Sequence, residues 1–215
     1  ISDELGNLGP IKNFEQLIFH SSSQYIFFSD QDDIWYTDKI TQIYNTIKET
    51  EDGAQTETAI LVHCDLEIIN DIGDVIHKSL FQSDKLHLNP KYLAVENFIT
   101  GNAMCLNRKA LENFHGFPSS CLMHDWWLAL LVQNKNGKIV TLKKTLGQYR
   151  QHSTNVTGAN FLHKRKNINN IINIFKNIRI VQKQVNYFHK RNYAYLLMIK
   201  IFLVTKKISW SNQSS

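Results

Sequence analysis

The sequence has little proline and cysteine, and these absences exclude several classes of protein. Only three of its 215 residues are proline, which argues against long extended linkers. The cysteines Cys64, Cys105 and Cys121 are widely separated and show no C-x-x-C spacing, so neither a zinc cluster nor a disulfide framework is predicted. A reducing compartment suits such a sequence best. Hydrophobic content of 43% and charged content of 20% are ordinary for a globular protein.

Acidic residues are missing from the C-terminal part of the chain. After Glu112 the only one is Asp125, and from residue 152 onward there are 11 lysines or arginines and no acid. Residues 1–150 carry 13 basic and 19 acidic residues, a net charge of −6. The sequence therefore predicts an acidic domain over residues 1–160 and a basic helical extension over residues 161–215.

The basic extension has two interpretations. It binds an anionic membrane surface, or its helices pack on the body or on a second copy with their charges in solvent. Nucleic acid is not expected as a partner, because no recognition motif accompanies the charge.

Long hydrophobic runs are also absent. A membrane-spanning helix needs roughly 18 apolar residues, and the longest run, residues 193–204, is interrupted by Lys200. The first residue is Ile, and no secretory signal peptide follows it. We expect a cytoplasmic location, with peripheral contact at the inner face of the cell membrane, and a sequence that begins inside a larger protein.

The apolar pattern predicts strands that alternate with helices. Compact apolar runs predict strands at Tyr25–Phe28, Ala59–His63, Ala103–Leu106, Lys138–Leu142 and Leu146–Arg150. Helical spacing predicts helices at Ile11–Phe19, along Ile40, Ile43, Tyr44 and Ile47 with Thr37 or Asp38 as the cap, and at His124–Gln133. Such alternation predicts an α/β fold with a mixed sheet flanked by helices.

Three carboxylates, those of Asp30, Asp32 and Asp33, follow the first predicted strand. Ligands of open α/β sheets bind beyond the carboxyl ends of strands. Adjacent like charges repel one another, and a hard divalent cation offsets that repulsion while keeping positions open for phosphate oxygens. The alternative is a solvated acidic turn with Asp38 capping the next helix. The residues alone give these two interpretations equal weight.

Asp125 lies ahead of an apolar helix and beside two tryptophans. An isolated Asp at such a place is most often an N-cap. Trp126 and Trp127 point to different sides of a helix, so we expect one of them to line a concave site and stack on a sugar ring. A carboxylate beside Trp is partly desolvated, which raises its pKa towards that of a useful general base.

A third polar segment follows the last predicted strand. The planar guanidinium of Arg150 suits bidentate phosphate binding, and the neutral imidazole of His152 suits a divalent metal. For His152 alone, an exposed polar residue at a strand end is the alternative.

Five motifs occur in order along the chain: Phe28-Ser-Asp-Gln-Asp-Asp-Ile-Trp35, Val62-His-Cys-Asp65, Thr100-Gly-Asn-Ala-Met104, His124-Asp-Trp-Trp127 and Tyr149-Arg-Gln-His152. Together they resemble the motifs of the family 2 glycosyltransferases, in particular the bacterial rhamnosyltransferase-like members that build O-antigen and capsule. Because any one motif is weak evidence, the resemblance depends on their order and spacing, and it covers roughly residues 1–160.

The resemblance implies a GT-A fold and an inverting transfer of a sugar from a nucleotide-diphosphate donor to a lipid-linked or polysaccharide acceptor. It suggests rhamnose as the sugar. Asp30-Gln31-Asp32 would be the DXD motif that holds the donor diphosphate through Mg²⁺ or Mn²⁺, with Asp33 in support. Asp125 would be the general base.

The remaining roles implied by the resemblance concern the donor and the pocket. His152 would be a further metal or diphosphate contact, and Arg150 a phosphate neighbour. The sugar and acceptor pocket would be shaped by Trp35, Asp65, Gly101, Asn102, Trp126 and Trp127. The N-terminal strand and acidic motif with which this family binds the nucleoside are not found in the sequence, so we expect a donor pocket without the wall that reads the base.

Two other functions remain open. A metal-dependent phosphoesterase also uses clustered Asp and His, although ligands for a second metal are not found at suitable places. A non-catalytic sugar or nucleotide-sugar binding module is compatible with the missing nucleoside-binding segment.

Overall fold

The structure, a computed structural model, describes residues 6–54, 57–83, 88–151, 170–188 and 193–212. The strands in these ranges are β1 Tyr25–Phe27, β2 Ile34–Trp35, β3 Ile60–Ile69, β4 Val75–His77, β5 Met104–Asn107 and β6 Lys138–Arg150. The helices are α1 Gly9–His20, α2 Lys39–Asp52, α3 Leu80–Ser83, α4 His124–Asn134, α5 Asn170–Phe188 and α6 Tyr193–Asn212. Short 3-10 turns lie at Pro90–Tyr92, Gly101–Ala103 and Arg108–Leu111.

One mixed sheet has the strand order β1-β5-β3-β6-β2, with β4 paired to the end of β3. The central strand β3 runs antiparallel to β5 and parallel to β6. Its residues are almost all buried, as expected for a strand whose two faces are both covered by helices. The predicted mixed α/β fold with flanking helices is confirmed.

Alternate residues of β3 point into two hydrophobic layers, because successive side chains of a strand point to opposite faces. Leu61 belongs to the layer that contains α1 and α4. Its neighbours Ile60 and Val62 belong to the layer that contains α2.

The buried face of α2 differs from the prediction. Ile43 and Ile47 are buried as expected, but Ile40 and Tyr44 are exposed, and the side chain of Lys39 is fully buried in their place. Lys39 precedes Ile43 by four residues, so it lies on the same face of the helix. A search for apolar residues at helical spacing ignores a lysine. For that reason the sequence predicted a buried face of α2 that included Ile40 and Tyr44 instead of Lys39.

The last strand β6 is continuous where two separate strands were predicted. Register shifts beside Asp65 in β3 accommodate its length. The two-residue strand β2, which was not predicted, pairs with β6 through Ile34–Gln148 and Trp35–Gly147. The loop between β1 and β2, residues 28–33, is thereby held at the end of the sheet, and we call it the acidic loop.

The C-terminal helices are packed on the body. The ring of Trp127 in α4 lies 4.7 Å from that of Tyr187 and 4.6 Å from that of Phe188, both in α5. Leu196 and Leu203 of α6 share a small core with Val95. Within the described ranges, none of the helices combines the length and apolar character needed to cross a bilayer.

Candidate active site

Asp33 is the anchored carboxylate of the acidic loop. Its Oδ1 accepts a hydrogen bond from the backbone nitrogen of Arg150 at 2.8 Å, and its Oδ2 accepts one from the side-chain amide of Asn102. Burial raises the pKa of Asp33 to about 6, and the charges of Asp30 and Asp32 act in the same direction. Both oxygens of Asp33 therefore tie the loop to β6 and to the Gly101–Ala103 turn.

Asp30 links the acidic loop to the start of α4. Burial raises its pKa, the charge of His124 lowers it, and the charges of Asp125 and Asp32 raise it further. Hydrogen bonds make the same connection, since Asn102 donates to Asp33 and the adjacent Gly101 donates to Asp125. The structure thus brings the first and fourth sequence motifs to one site.

Asp125 is a buried carboxylate with three hydrogen-bond donors. Its Oδ1 accepts from the backbone nitrogen of Trp126 at 2.5 Å and from the side chain of Asn97 at 3.1 Å, and its Oδ2 accepts from the backbone nitrogen of Gly101 at 3.1 Å. Burial raises its pKa to about 6 although these donors lower it. The N-cap interpretation is wrong, because Met123 is the N-cap and Asp125 lies inside the first turn.

Gly101 and Asn102 join the acidic loop to Asp125. The backbone of Gly101 contacts the Asp125 carboxylate, and the side chain of Asn102 contacts Asp33. A Cβ at Gly101 would lie 2.6 Å from Nε2 of His124, so the close approach of turn and ring requires glycine.

Lys39 is the residue at this site that sequence reasoning missed. Its Nζ donates to the carbonyl oxygen of Asn102 at 2.6 Å and lies 4.1 Å from the centre of the Trp35 ring. Burial lowers its pKa to about 8, against the carboxylates of Asp33 and Asp30, which raise it. A lysine four residues before a buried isoleucine was the available signal.

Several buried polar atoms at the site have no hydrogen-bond partner within the described residues: Nε1 of Trp35, Oδ1 of Asn102, and both ring nitrogens of His124. The His124 ring is stacked on Phe14 with 4.0 Å between centroids. Buried polar groups are nearly always satisfied, so such atoms mark places where a water or a ligand binds.

The comparison with known families decides the classification. The profile of the family described as Glycosyl transferase family 2 matches residues 4–113, half of the chain. The chain belongs to glycosyltransferase family 2. The matched segment includes the acidic loop, Asp65 and the Gly101–Asn102 pair, and the mixed sheet flanked by helices is GT-A-like.

A curated relative extends the similarity beyond that segment. The chain is 27% identical over 168 residues to the dTDP-rhamnosyl transferase RfbG of Shigella flexneri, an alignment that covers 74% of this chain and 54% of the relative. The chain therefore spans about half the length of that protein.

In this family 2 chain, the guanidinium of Arg150 donates hydrogen bonds to backbone carbonyls of the protein itself. Its Nε donates to the carbonyl of Asp32 at 3.0 Å, and its Nη1 donates to the carbonyls of Asn70 and Asp71 at 3.1 and 2.9 Å. These bonds fasten the acidic loop to the β3–β4 turn. The guanidinium thus supports the loop through Nε and Nη1, and its role as a phosphate neighbour stays a prediction. His152 lies outside the described residues.

Trp126 and Trp127 of the family 2 chain are core residues, contrary to the prediction. Trp126 is 4% exposed and donates through Nε1 to the carbonyl of Leu93 at 2.6 Å. Trp127 is 2% exposed and is covered by Tyr187 and Phe188. Because α5 packs on the outer side of α4, both sides of that helix are buried, and neither ring presents a face to a sugar.

Asp65 and Trp35 differ in their surroundings. The Asp65 carboxylate accepts from the Ser79 hydroxyl at 2.5 Å and from the backbone nitrogens of Leu66 and Phe81 at 2.9 and 3.1 Å. These bonds fix the start of α3. Trp35, by contrast, lies beside the acidic loop under the Lys39 ammonium.

The donor set fits a divalent cation in part. In the described ranges, no three His, Cys, Asp or Glu side chains converge on one metal position. Two carboxylates of the loop, Asp30 and Asp32, flank the exposed Gln31. Oxygen donors of this kind suit Mg²⁺ or Mn²⁺, whose remaining positions are often filled by water and by substrate phosphates.

Proposed function

We propose that this chain carries the reaction centre of an inverting glycosyltransferase, which moves a sugar from a nucleotide-diphosphate donor to a saccharide acceptor of cell-surface polysaccharide biosynthesis. The observation that supports this most is the Gly101–Asn102 turn, in which Asn102 donates to Asp33 of the acidic loop and Gly101 donates to Asp125. The turn connects the loop that is proposed to bind the diphosphate with the candidate base.

Asp125 is the general base of the proposed reaction. Its Oδ1 is engaged by two donors and its Oδ2 by Gly101, so Oδ2 is the better atom to receive a proton. It takes the proton of an acceptor hydroxyl while the hydroxyl oxygen forms its bond to the anomeric carbon. The bond from that carbon to the diphosphate oxygen breaks, and the nucleoside diphosphate leaves with the electron pair. A pKa of about 6 keeps Asp125 ionised at neutral pH, yet basic enough for this step.

The acidic loop binds the diphosphate in this proposal. Asp30 and Asp32 hold Mg²⁺ or Mn²⁺, which when bound offsets the charge that develops on the departing diphosphate. Asp33, Asn102 and Arg150 keep the loop in place through the bonds described above. The unpaired polar atoms of Trp35 and His124 are suitable partners for sugar hydroxyls.

The printed name of the relative suggests the first donor to assay. That protein is a dTDP-rhamnosyl transferase, and we propose a deoxythymidine-diphosphate sugar, rhamnose first, as the donor of this chain.

We further propose that α5 and α6 bind the anionic lipids at the inner face of the cell membrane. A lipid-linked acceptor would be found at the same surface. The outward side of α6 carries exposed apolar residues at helical spacing, Tyr195, Met198, Ile201 and Phe202. The exposed Arg179 and Lys183 lie one turn apart on α5. Apolar and basic side chains on neighbouring helices are typical of helices that lie at a lipid surface.

Binding and transfer assays test the function. Calorimetry with dTDP, with and without Mn²⁺, and a transfer assay with a panel of nucleotide sugars are expected to show metal-dependent binding and sugar transfer. Binding without transfer supports a nucleotide-sugar binding module instead, and release of inorganic phosphate supports a phosphoesterase.

Vesicle sedimentation tests the membrane contact. Phosphatidylcholine vesicles that contain phosphatidylglycerol are expected to bind the protein at low salt, and Met198→Gln is expected to weaken this binding. Equal binding to neutral vesicles, or a dimer in light scattering that buries α6, contradicts the contact.

A further inference from the structure

Lys39 is a buried cation at the centre of an acidic site. Its side chain has no solvent exposure, and its Nζ donates to the carbonyl oxygen of Asn102 at 2.6 Å. The Trp35 ring covers it from one side, with 4.1 Å between Nζ and the ring centre. At Gly147, an added Cβ would lie 3.6 Å from the same nitrogen. Helix, loop and β6 together enclose this charge.

Burying an ammonium group at this position is energetically unfavourable. Its neighbours along the helix face, Ile43 and Ile47, are fully buried apolar residues. Replacing a whole buried ion pair with well-packed apolar residues is often neutral or stabilising. The stability of α2 therefore gives no reason for a lysine here.

The position of the charge suggests what it does. The Gly101–Asn102 pair has three anchors: the Gly101 nitrogen on Asp125, the Asn102 amide on Asp33, and the Asn102 carbonyl on Lys39. Of these three anchors, Lys39 alone is a cation. It also lies on α2, in the hydrophobic layer on the opposite face of the sheet from α4. Lys39 is also within electrostatic reach of Asp30.

We propose that Lys39 is a positioning residue, which fixes the Gly101–Asn102 turn and supplies a resident positive charge beside the acidic loop. The inference rests on the proposed function and adds a residue to it. The carboxylates that bind the donor diphosphate and the carboxylate that takes the acceptor proton are then held at a set distance before any ligand arrives. In-line displacement depends on such alignment, and a misplacement of about 1 Å can reduce a rate by roughly 10²-fold.

Lys39→Met tests the proposal, with Lys48→Met as the matched control. Lys48 is on the same helix but is partly exposed, and it pairs with Glu51 at 3.1 Å. Lys39→Met is expected to unfold at a lower denaturant concentration than the wild type, because the buried Asn102 carbonyl loses its donor, while the kcat of the folded protein falls by about 10- to 100-fold. The control is expected to keep both values. KM for the donor is expected to change less than kcat, because both carboxylates of the Asp30–Asp32 pair remain.

The outcomes separate this inference from the proposed function. If the wild type neither binds dTDP with Mn²⁺ nor transfers a sugar, the proposed function is wrong. If the wild type is active and Lys39→Met keeps its kcat, the positioning role is wrong. A loss of activity that matches the unfolded fraction also overturns it. Lys39→Gln, which keeps an N–H donor without the charge, is the second variant, and failure of both variants to fold assigns Lys39 to fold stability alone.

Discussion

The backbone nitrogen of Gly101 lies 3.1 Å from Oδ2 of Asp125 and donates a hydrogen bond to it. The donor is part of a buried turn, so Oδ2 is held by the backbone, while Oδ1 is held by the Trp126 nitrogen and the Asn97 side chain. A carboxylate fixed in this way has one orientation in which to meet an acceptor hydroxyl.

Asp125→Asn is expected to abolish transfer and to leave donor binding nearly intact. The amide preserves the shape of the side chain but cannot take a proton, and a positioned base contributes about 10²–10⁴-fold to a rate. Single-turnover transfer and calorimetry with dTDP and Mn²⁺ measure the two effects separately. Normal turnover in the variant would show that the base is another group.

Transfer is expected to depend on the ionisation of Asp125. Burial raises its pKa to about 6, and a base acts in its deprotonated form. Plotted against pH, kcat should therefore rise through about 6 and level off above it. The residual rate of Asp125→Asn serves as the control: if it keeps the same rise, the ionising group is not Asp125.

The same ionisation affects stability. Burial raises the folded-state pKa of Asp125 to about 6, above the ordinary value of an aspartate, 3.8, so the folded protein holds this proton more tightly than the unfolded chain. The contribution is complete below about 4 and is lost as pH rises through about 6. Urea unfolding is expected to show the wild type losing about 2–3 kcal/mol relative to Asp125→Asn across this range. A pH-independent difference between the two proteins contradicts the burial argument.

Asp32→Ala is expected to weaken metal-dependent donor binding itself. The substitution removes a proposed oxygen ligand from the acidic loop, so the affinity for dTDP should fall only when Mn²⁺ is present. Asp38→Ala is the matched control, because Asp38 lies nearby and pairs at the surface with Lys144 at 2.8 Å. Equal losses in the two variants, or a loss without Mn²⁺, count against a metal role for Asp32.

Gly101→Ala is expected to impair both folding and transfer. The new Cβ would lie 2.6 Å from Nε2 of His124, and overpacking of this kind costs about 1–3 kcal/mol. Gly53→Ala, where the added atom comes no closer than 3.5 Å to Glu49, should be tolerated. Thermal unfolding and transfer rates of the two variants check the expectation, and a fully active Gly101→Ala protein contradicts it.

The fold could be predicted from the sequence largely because its strands are compact apolar runs. The predicted strands at Tyr25–Phe28 and Ala103–Leu106 differ from β1 and β5 by one or two residues at their ends. The short strands β2 and β4 were not predicted, because two or three residues carry no periodicity. They exist through pairing with β6 and β3, which is a tertiary effect.

The sequence predicted the acidic residues of the candidate site but not the residues that hold them in place. Asp30, Asp32 and Asp125 could be found because carboxylates at strand and helix ends are chemically conspicuous. The surroundings of Trp126, Trp127 and Arg150 depend on which elements pack against them. The packing of α5 on α4 could not be predicted from the sequence. Lys39 was missed for a related reason: its spacing from Ile43 indicates the face of the helix, but burial of a lysine also depends on an oxygen acceptor supplied by a distant turn.

The packing of α5 on Trp127 has a practical consequence for anyone who shortens this protein. A cut at residue 160, where the charge pattern changes, removes Tyr187 and Phe188 and leaves the indole in water. The helix that loses its cover is the one that carries Asp125 in its first turn. A minimal catalytic fragment should therefore extend through residue 188, and aggregation of a shorter one would say nothing about its chemistry.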